Sequence, residues 1–257
     1  MHSKPSSGNS VHSALIYDHV ALNTVESTNE EAKKLAEAGA PAGTIVTAVS
    51  QRAGRGRVGR RWSSPPGNLY TSLILRPIRP IADAGSLSLL AALAIGHTLG
   101  NLLSYVDSWQ VKWPNDVLID NAKIAGVLAE SEINSAGQLA WVVIGMGMNV
   151  EVTPEISDRP VTSLKQQSVD VTVDVVFRKL QDNFRALYEI WGRDGFDGIK
   201  LDWISHAQGF GCPVYVRLNN GLVTGNFADL DSDGAIVIED KDGTRHRVLA
   251  GDVVLAH

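Results

Sequence analysis

Residues 109–133 read "WQVKWPNDVLIDNAKIAGVLAESEI", and residues 139–150 read "LAWVVIGMGMNV". Short apolar runs are broken first by Trp-Pro-Asn-Asp and then by Asp120-Asn121, which predicts a strand, a proline-bounded turn, a hairpin and a further strand. Short turns make neighbouring strands antiparallel, because a parallel crossover needs about a dozen residues or more. The fold class that follows is α+β, a largely antiparallel mixed sheet packed with helices, rather than a doubly wound parallel sheet.

The flanks extend this sheet. "ALIYDHVAL" (14–22) and "TIVTAVS" (44–50) read as strands around one short helix, and "NLYTSLILRP" (68–77) reads as a strand closed by proline. The helix, "STNEEAKKLAEAG", offers Ser27 or Thr28 as N-cap with Glu30 or Glu31 completing a capping box, and Gly39 as a left-handed stop. Residues 86–106 form a helix apolar over more than half its circumference, so burial on several sides is expected. Val173, Val176, Phe177, Leu180, Phe184, Leu187, Tyr188 and Trp191 fall along one stripe of a long amphipathic helix, whose plain reading is core. From about residue 210 short apolar runs alternate with Asn220-Gly221, Asp233-Gly234 and Asp242-Gly243, the texture of a small β-barrel or sandwich. The organisation expected is a flexible tail at 1–14, a main domain at 15–208 and a small β domain at 209–257.

Composition narrows the function classes. With 23 Lys+Arg against 28 Asp+Glu the net charge is -5, which argues against a general nucleic-acid binder. No apolar run approaches the ~18 residues of a membrane span, and "MHSKPSSGNSVHS" has no apolar core for a signal peptide, so a cytoplasmic location is expected. The single cysteine, Cys212, excludes an intramolecular disulfide and a cysteine-based zinc cluster and is expected to be a small buried residue. The seven histidines show no ligand spacing, and neither they nor Asp107 receive a role.

Against this acidic background, "SQRAGRGRVGRRW" (50–62) carries five arginines, with glycines between them and no acid. Such a backbone can turn its amides toward an anion while the guanidiniums close over it. The spacing matches neither a Walker nor a Rossmann loop, and a strand, not a helix, follows. Phosphate binding and an RNA-touching arginine tract are equally open on composition alone. "DLDSDGAIVIED" (229–240) imitates a calcium loop through Asp229, Asp231, Asp233, Gly234, Ile236 and Asp240, but its flanks read as strands, so a polar hairpin turn is the expectation.

Taken in order, "ESTN" (26–29), "QRAGRGRVGRRW" (51–62), "KWPND" (112–116), "KIAGVLAE" (123–130) and "GMGMNV" (145–150) resemble the catalytic domain of bacterial biotin protein ligases, the biotin–[acetyl-CoA carboxylase] ligases. The resemblance covers about residues 15–257. It implies a class II synthetase-like catalytic domain with a C-terminal SH3-like β-barrel, and an ATP-dependent enzyme that makes biotinyl-5'-AMP and transfers biotin to a lysine of the biotin carboxyl carrier protein.

It also implies roles. Ser27, Thr28, Asn29 and Gln51 would bind biotin's ureido ring, and Gly126 would leave room for that ring. Arg55, Gly56 and Arg57 would wrap the carboxylate and phosphate, with Arg57 retaining the adenylate. Lys123 would contact both carboxylate and α-phosphate, and with Arg57 and Arg55 would carry the catalysis. Lys112, Asn115 and Asp116 would line the nucleotide side, with Mg²⁺ accompanying ATP near Asp116. Trp62 would stack on the adenine side and Asn149 would face adenine. Some members also carry an N-terminal winged helix-turn-helix. The stretch before Ser27 is too short for one, so a ligase without repressor function or DNA as partner is expected, with a homodimer left open. A lipoate or octanoate ligase or transferase of the same architecture is the near alternative, and an RNA-binding module the distant one. The loop is expected to act as a lid, open or disordered until ligand supplies negative charge, because its like charges repel.

Overall fold

The structure, a computed structural model, describes residues 15–103, 109–155, 159–218 and 221–256. The expected tail at 1–14, the 104–106 end of the long apolar helix, Asp107 and Asn220 lie outside the described residues.

Strand β1 (Asp18–Val25) leads into helix α1 (Thr28–Glu37) and returns as β2 (Thr44–Gln51). This right-sized crossover makes β1 and β2 the one parallel pair, while every other neighbour in the sheet is antiparallel. Strand β3 (Leu69–Leu75) follows the arginine loop; then come helix α2 (Leu87–Gly100) and strands β4 (Trp109–Lys112), β5 (Asp116–Ile119), β6 (Ala122–Ile133) and β7 (Leu139–Met148). The seven strands lie in the order β1-β2-β3-β7-β6-β5-β4. Asp120 and Asn121 both have positive φ, 49° and 63°, as a two-residue hairpin between β5 and β6 requires.

Helices cover both faces. On one, α1 buries Ala32 and Ala36 against Val46, Ile74, Trp141 and Val143. Arg76 then donates to the carbonyls of Ala36, Ala40 and Ala140, tying the C-terminal end of α1 to the sheet. On the other face, α2 packs between the sheet and α3 (Val173–Asp194), which is why nearly all of it is buried. Gly96 is required there: a Cβ would sit 2.1 Å from Cζ3 of Trp109. The expected stripe of α3 is the buried one, with Val173 and Tyr188 only partly covered, and Trp191 Nε1 donates to Ser86 Oγ at 2.8 Å to join α3 to the start of α2.

After α4 (Asp197–Ser205) the chain forms β8 (Pro213–Leu218), β9 (Gly221–Leu230), β10 (Ile236–Glu239), β11 (Arg245–Val248) and β12 (Asp252–Leu255), an antiparallel sheet in the order β11-β10-β9-β8-β12. Its apolar face continues the main core through Val214, Phe227 and Ile236. Trp113 Nε1 donates to the Gly234 carbonyl at 2.9 Å, and Lys200 pairs with Asp229 at 2.8 Å, so the two sheets are packed together.

Two expectations need correction. Cys212 is exposed, because it ends the Gly209–Cys212 turn that delivers the chain to β8 rather than lying inside the sheet. Residues 81–100, a 3-10 turn continued by α2, are together long and apolar enough to cross a membrane by length and composition, with a mean hydropathy of 1.3; the stretch is mostly buried in the protein core. The acids of 229–240 behave as those of the polar turn expected there and do not converge: Asp229 faces Lys200, Asp231 and Asp233 share Arg247, and Asp240 faces His246.

Candidate active site

One cleft of about 270 Å³ opens between the N-terminus of α1, the arginine loop and the β6–β7 pair. It brings together Ser27, Thr28, Asn29, Gln51, Arg55, Gly56, Arg57, Trp62, Asn115, Asp116, Lys123, Gly126 and Asn149 from segments far apart in sequence. Of the residues singled out in the sequence, Lys112 alone is absent from its wall. It is the register partner of Asp116 across the tight β4–β5 turn, and its half-burial lowers its pKa against the pull of Asp116.

The two ends of the cleft differ in chemistry. At the first, the capping box does not form. Ser27 is the N-cap residue but makes no side-chain cap, while Glu30 pairs with Lys33 and Glu31 with Lys34. The Thr28 hydroxyl instead enters a buried network. Gln51 Oε1 accepts from the Thr28 amide at 2.8 Å and the Thr28 hydroxyl at 3.2 Å, while Gln51 Nε2 donates to Ser64. Ser72 Oγ lies 2.8 Å from Thr28 Oγ1 and 2.6 Å from Asn29 Oδ1. A hydroxyl has one proton, so it cannot serve both oxygens fully, and acceptor capacity for a ligand N–H is left here. This end is neutral and rigid.

At the second end the groups are ionic. A register shift where β5 meets β6 re-aims Lys123, whose neighbours Pro160 and Thr162 take its backbone hydrogen bonds. Lys123 Nζ donates to Asp116 Oδ1 at 2.5 Å, and Arg159 approaches Asp116 Oδ2 at 3.6 Å. Arg57 donates to Asn115 Oδ1 at 3.1 Å. Burial depresses the Arg57 pKa, opposed by Asp252 and Asp116, so this guanidinium is a desolvated cation suited to an anion. Gly126 and Gly147 are register partners across β6 and β7, and the Trp62 ring lies on them: a Cβ at Gly147 would be 2.7 Å from its Cε2, and one at Gly126 3.2 Å from its Cζ3. The space kept clear by Gly126 is therefore occupied by Trp62 and the Lys123 stem.

The arginine loop is folded over the cleft with a 3-10 turn at Arg57–Gly59. Repulsion among its arginines predicted an open loop; each finds a separate partner instead. Arg52 pairs with Glu26, Arg55 with Glu30 and Glu130, Arg57 with Asn115, Arg60 with Asp252 of the C-terminal sheet at 2.5 Å, and Arg61 with the Arg52 carbonyl. Arg55 thus engages the outer acids.

Among the described residues, five buried side-chain polar atoms lack a partner. Three of them, Trp62 Nε1, Thr71 Oγ1 and Asn149 Oδ1, belong to residues lining this cleft, as a site awaiting polar ligand groups would require. Sequence reasoning missed Ser72, Glu130 and Arg159. Thr71-Ser72 inside the apolar run of β3 was the available signal for the first; Arg159 lies in an irregular segment with no period to mark it.

The donor set does not form a metal site of its own. Among the described residues, Asp116 is the one carboxylate on the cleft wall and is engaged by Lys123 and Arg159, and no cluster of three or more metal-binding side chains occurs.

The sequence profile of the biotin/lipoate A/B protein ligase family matches residues 21–149, and that of the biotin protein ligase C-terminal domain matches residues 209–256. The chain belongs to the biotin/lipoate A/B protein ligase family. It is 33% identical over 238 residues to the biotin–[acetyl-CoA-carboxylase] ligase of Paracoccus denitrificans, covering 90% of this chain and 98% of that one. It is 35% identical over 248 residues to the bifunctional ligase/repressor BirA of Bacillus subtilis, covering 94% of this chain and 74% of that protein. The biotin protein ligase of Aquifex aeolicus, solved in complex with biotin and ATP, superposes with a TM-score of 0.76 at 27% identity over 93% of this chain and 98% of that one.

Proposed function

We propose that the chain is an ATP-dependent biotin protein ligase that activates biotin as biotinyl-5'-AMP and transfers it to a lysine of the biotin carboxyl carrier protein of acetyl-CoA carboxylase. The observation that carries this reading is the division of one cleft into a neutral hydrogen-bonding end and a cationic end. Biotin has the same division, a neutral ureido ring at one end and a carboxylate at the other.

In the first step a biotin carboxylate oxygen bonds to the α-phosphorus of ATP and the bond to pyrophosphate breaks. Two anions must meet, and Lys123 and Arg57 offset their repulsion and the charge that builds between them. In the second step the carrier lysine amine attacks the acyl carbon, the bond to AMP breaks, and the amine gives up its proton. Thr28, Asn29 and Gln51 hold the ring, while Trp62 and Asn149 contribute the adenine side. Arg57 closes over the adenylate and keeps water and stray amines from it. Residues 15–208 carry this chemistry and residues 209–257 form the appended β domain.

A lipoate or octanoate ligase is disfavoured by the first end of the cleft, because an apolar tail there would leave unfilled the acceptor capacity that the single Ser72 proton cannot satisfy at Thr28 Oγ1 and Asn29 Oδ1 together. An RNA-binding module is disfavoured by the pairing of the loop arginines with acids of the same chain. The test is incubation with ATP, biotin and a carrier domain, read by intact mass: a single biotin on the carrier's acceptor lysine supports the reading, and an unmodified carrier contradicts it.

A further inference from the structure

Glu130 ends the "KIAGVLAE" stretch, does not line the cleft, and has no part in the chemistry above. Its side chain is nevertheless only 21% exposed and meets three residues from two other segments, α1 and the arginine loop. Oε2 accepts from Asn29 Nδ2 at 2.9 Å, Oε1 accepts from Lys33 Nζ at 3.0 Å, and Arg55 Nη2 of the loop stands 3.5 Å from Oε1. Lys33 and Arg55 also meet Glu30, closing a four-charge ring around the base of the loop.

Two consequences follow from this geometry. Asn29 could present either its oxygen or its NH₂ to the cleft, and the two faces recognise opposite ligand groups. Glu130 and the Leu128 carbonyl both accept from Nδ2, which turns Oδ1 toward Ser72 and fixes the acceptor face at the neutral end. The same carboxylate draws Arg55 outward, so the leading end of the arginine loop is fastened to the strand that carries Lys123.

We propose that Glu130 is a positioning residue that sets the amide orientation of Asn29 and, through Arg55, tethers the arginine loop, so that the ring-binding end and the lid are coupled through one carboxylate. The coupling to the ring rests on the biotin ligase reading; the tether does not.

The two roles separate by substitution. Glu130→Ala removes both. Glu130→Gln keeps an amide oxygen for Asn29 Nδ2 but loses the charge that holds Lys33 and Arg55. For Glu130→Ala we expect the biotin KM in pyrophosphate exchange to rise about tenfold with kcat within about twofold, as loss of a charge-assisted hydrogen bond in the ground and transition states alike gives. Glu130→Gln should keep the KM within about twofold of the parent, a rescue that mere loosening of the fold would not give. Trypsin cleavage at Arg52–Arg61, followed by mass spectrometry without added substrates, should accelerate several-fold in both variants relative to a cut elsewhere in the chain.

A fall in kcat with unchanged KM, or loop cleavage at the parent rate in Glu130→Ala, overturns the proposal. If Glu130→Ala does not fold, Glu130→Gln still decides the tether by proteolysis. Parent protein lacking biotin-dependent exchange overturns the functional reading and the ring-coupling arm with it, while the proteolysis arm still decides the tether.

Discussion

The two ends of the cleft are built from different materials. The neutral end is a web of short hydrogen bonds among side chains on α1, β2 and β3, all buried in rigid elements. The cationic end is a set of ion pairs whose anions come from the protein itself: Asp116 for Lys123 and Arg159, Asp252 for Arg60. Hydrogen bonds of the first kind fix a shape before ligand arrives. Ion pairs of the second kind are exchangeable, and a triphosphate brings more negative charge than the carboxylates it would displace. The first end should therefore govern which acid is accepted, and the second how fast it is activated and how well the product is kept.

Breaking the cationic end should have the largest effect. Lys123→Ala is expected to lower the exchange rate by about 10²–10³, the cost of removing one group that stabilises developing charge, with a smaller change in biotin KM. Next, Arg57→Gly is expected to leave adenylation measurable but let biotinyl-AMP escape. Bystander lysines on an added inert protein should then be labelled about tenfold more than with the parent; equal labelling removes the retaining role.

The neutral end is tested by Thr28→Val, which keeps the shape but removes the hydroxyl that Ser72 and Gln51 share. Biotin KM is expected to rise about tenfold with kcat little changed, so a pure kcat effect would erase the contrast between the ends. The smallest effect belongs to Asp252→Ala, which frees Arg60 at the exposed rim and is expected to shift the ATP KM no more than about threefold. Burial raises the Asp252 pKa, but the hydrogen bond from Arg60 together with the charges of Arg60, Arg57 and Arg159 outweighs it, and the net shift is downward. A lowered folded value means the latch is complete above the ordinary aspartate pKa of about 3.9 and is lost only as pH falls through the folded value. Loop protection from trypsin that faded already at neutral pH would contradict this assignment.

How much of this the sequence disclosed differs by region in the same physical way. Strands and hairpins of 109–150 were legible because alternation and the Asp-Asn turn are local signals, and the buried stripe of α3 was legible from its period. The family motifs located nearly the whole cleft wall. What escaped was set by long-range partners. The Thr28 hydroxyl of "ESTN" read as a helix cap because its partners Gln51 and Ser72 are distant in sequence. The arginine loop read as self-repelling because Glu30, Glu130 and Asp252 arrive from three other segments. Lys112 read as a wall residue; it does not line the cleft and instead stands beside Asp116, its register partner, which does.

The central claim, that one cleft joins a ring-binding neutral end to an acid-activating cationic end, is tested most directly by ATP–pyrophosphate exchange with the parent protein, comparing biotin with lipoate and octanoate at equal concentration. The expected result is exchange that depends on biotin and exceeds that with either fatty acid analogue by about a hundredfold or more, as a site of buried polar groups discriminates. Exchange supported equally by lipoate or octanoate, or none with biotin, would contradict it.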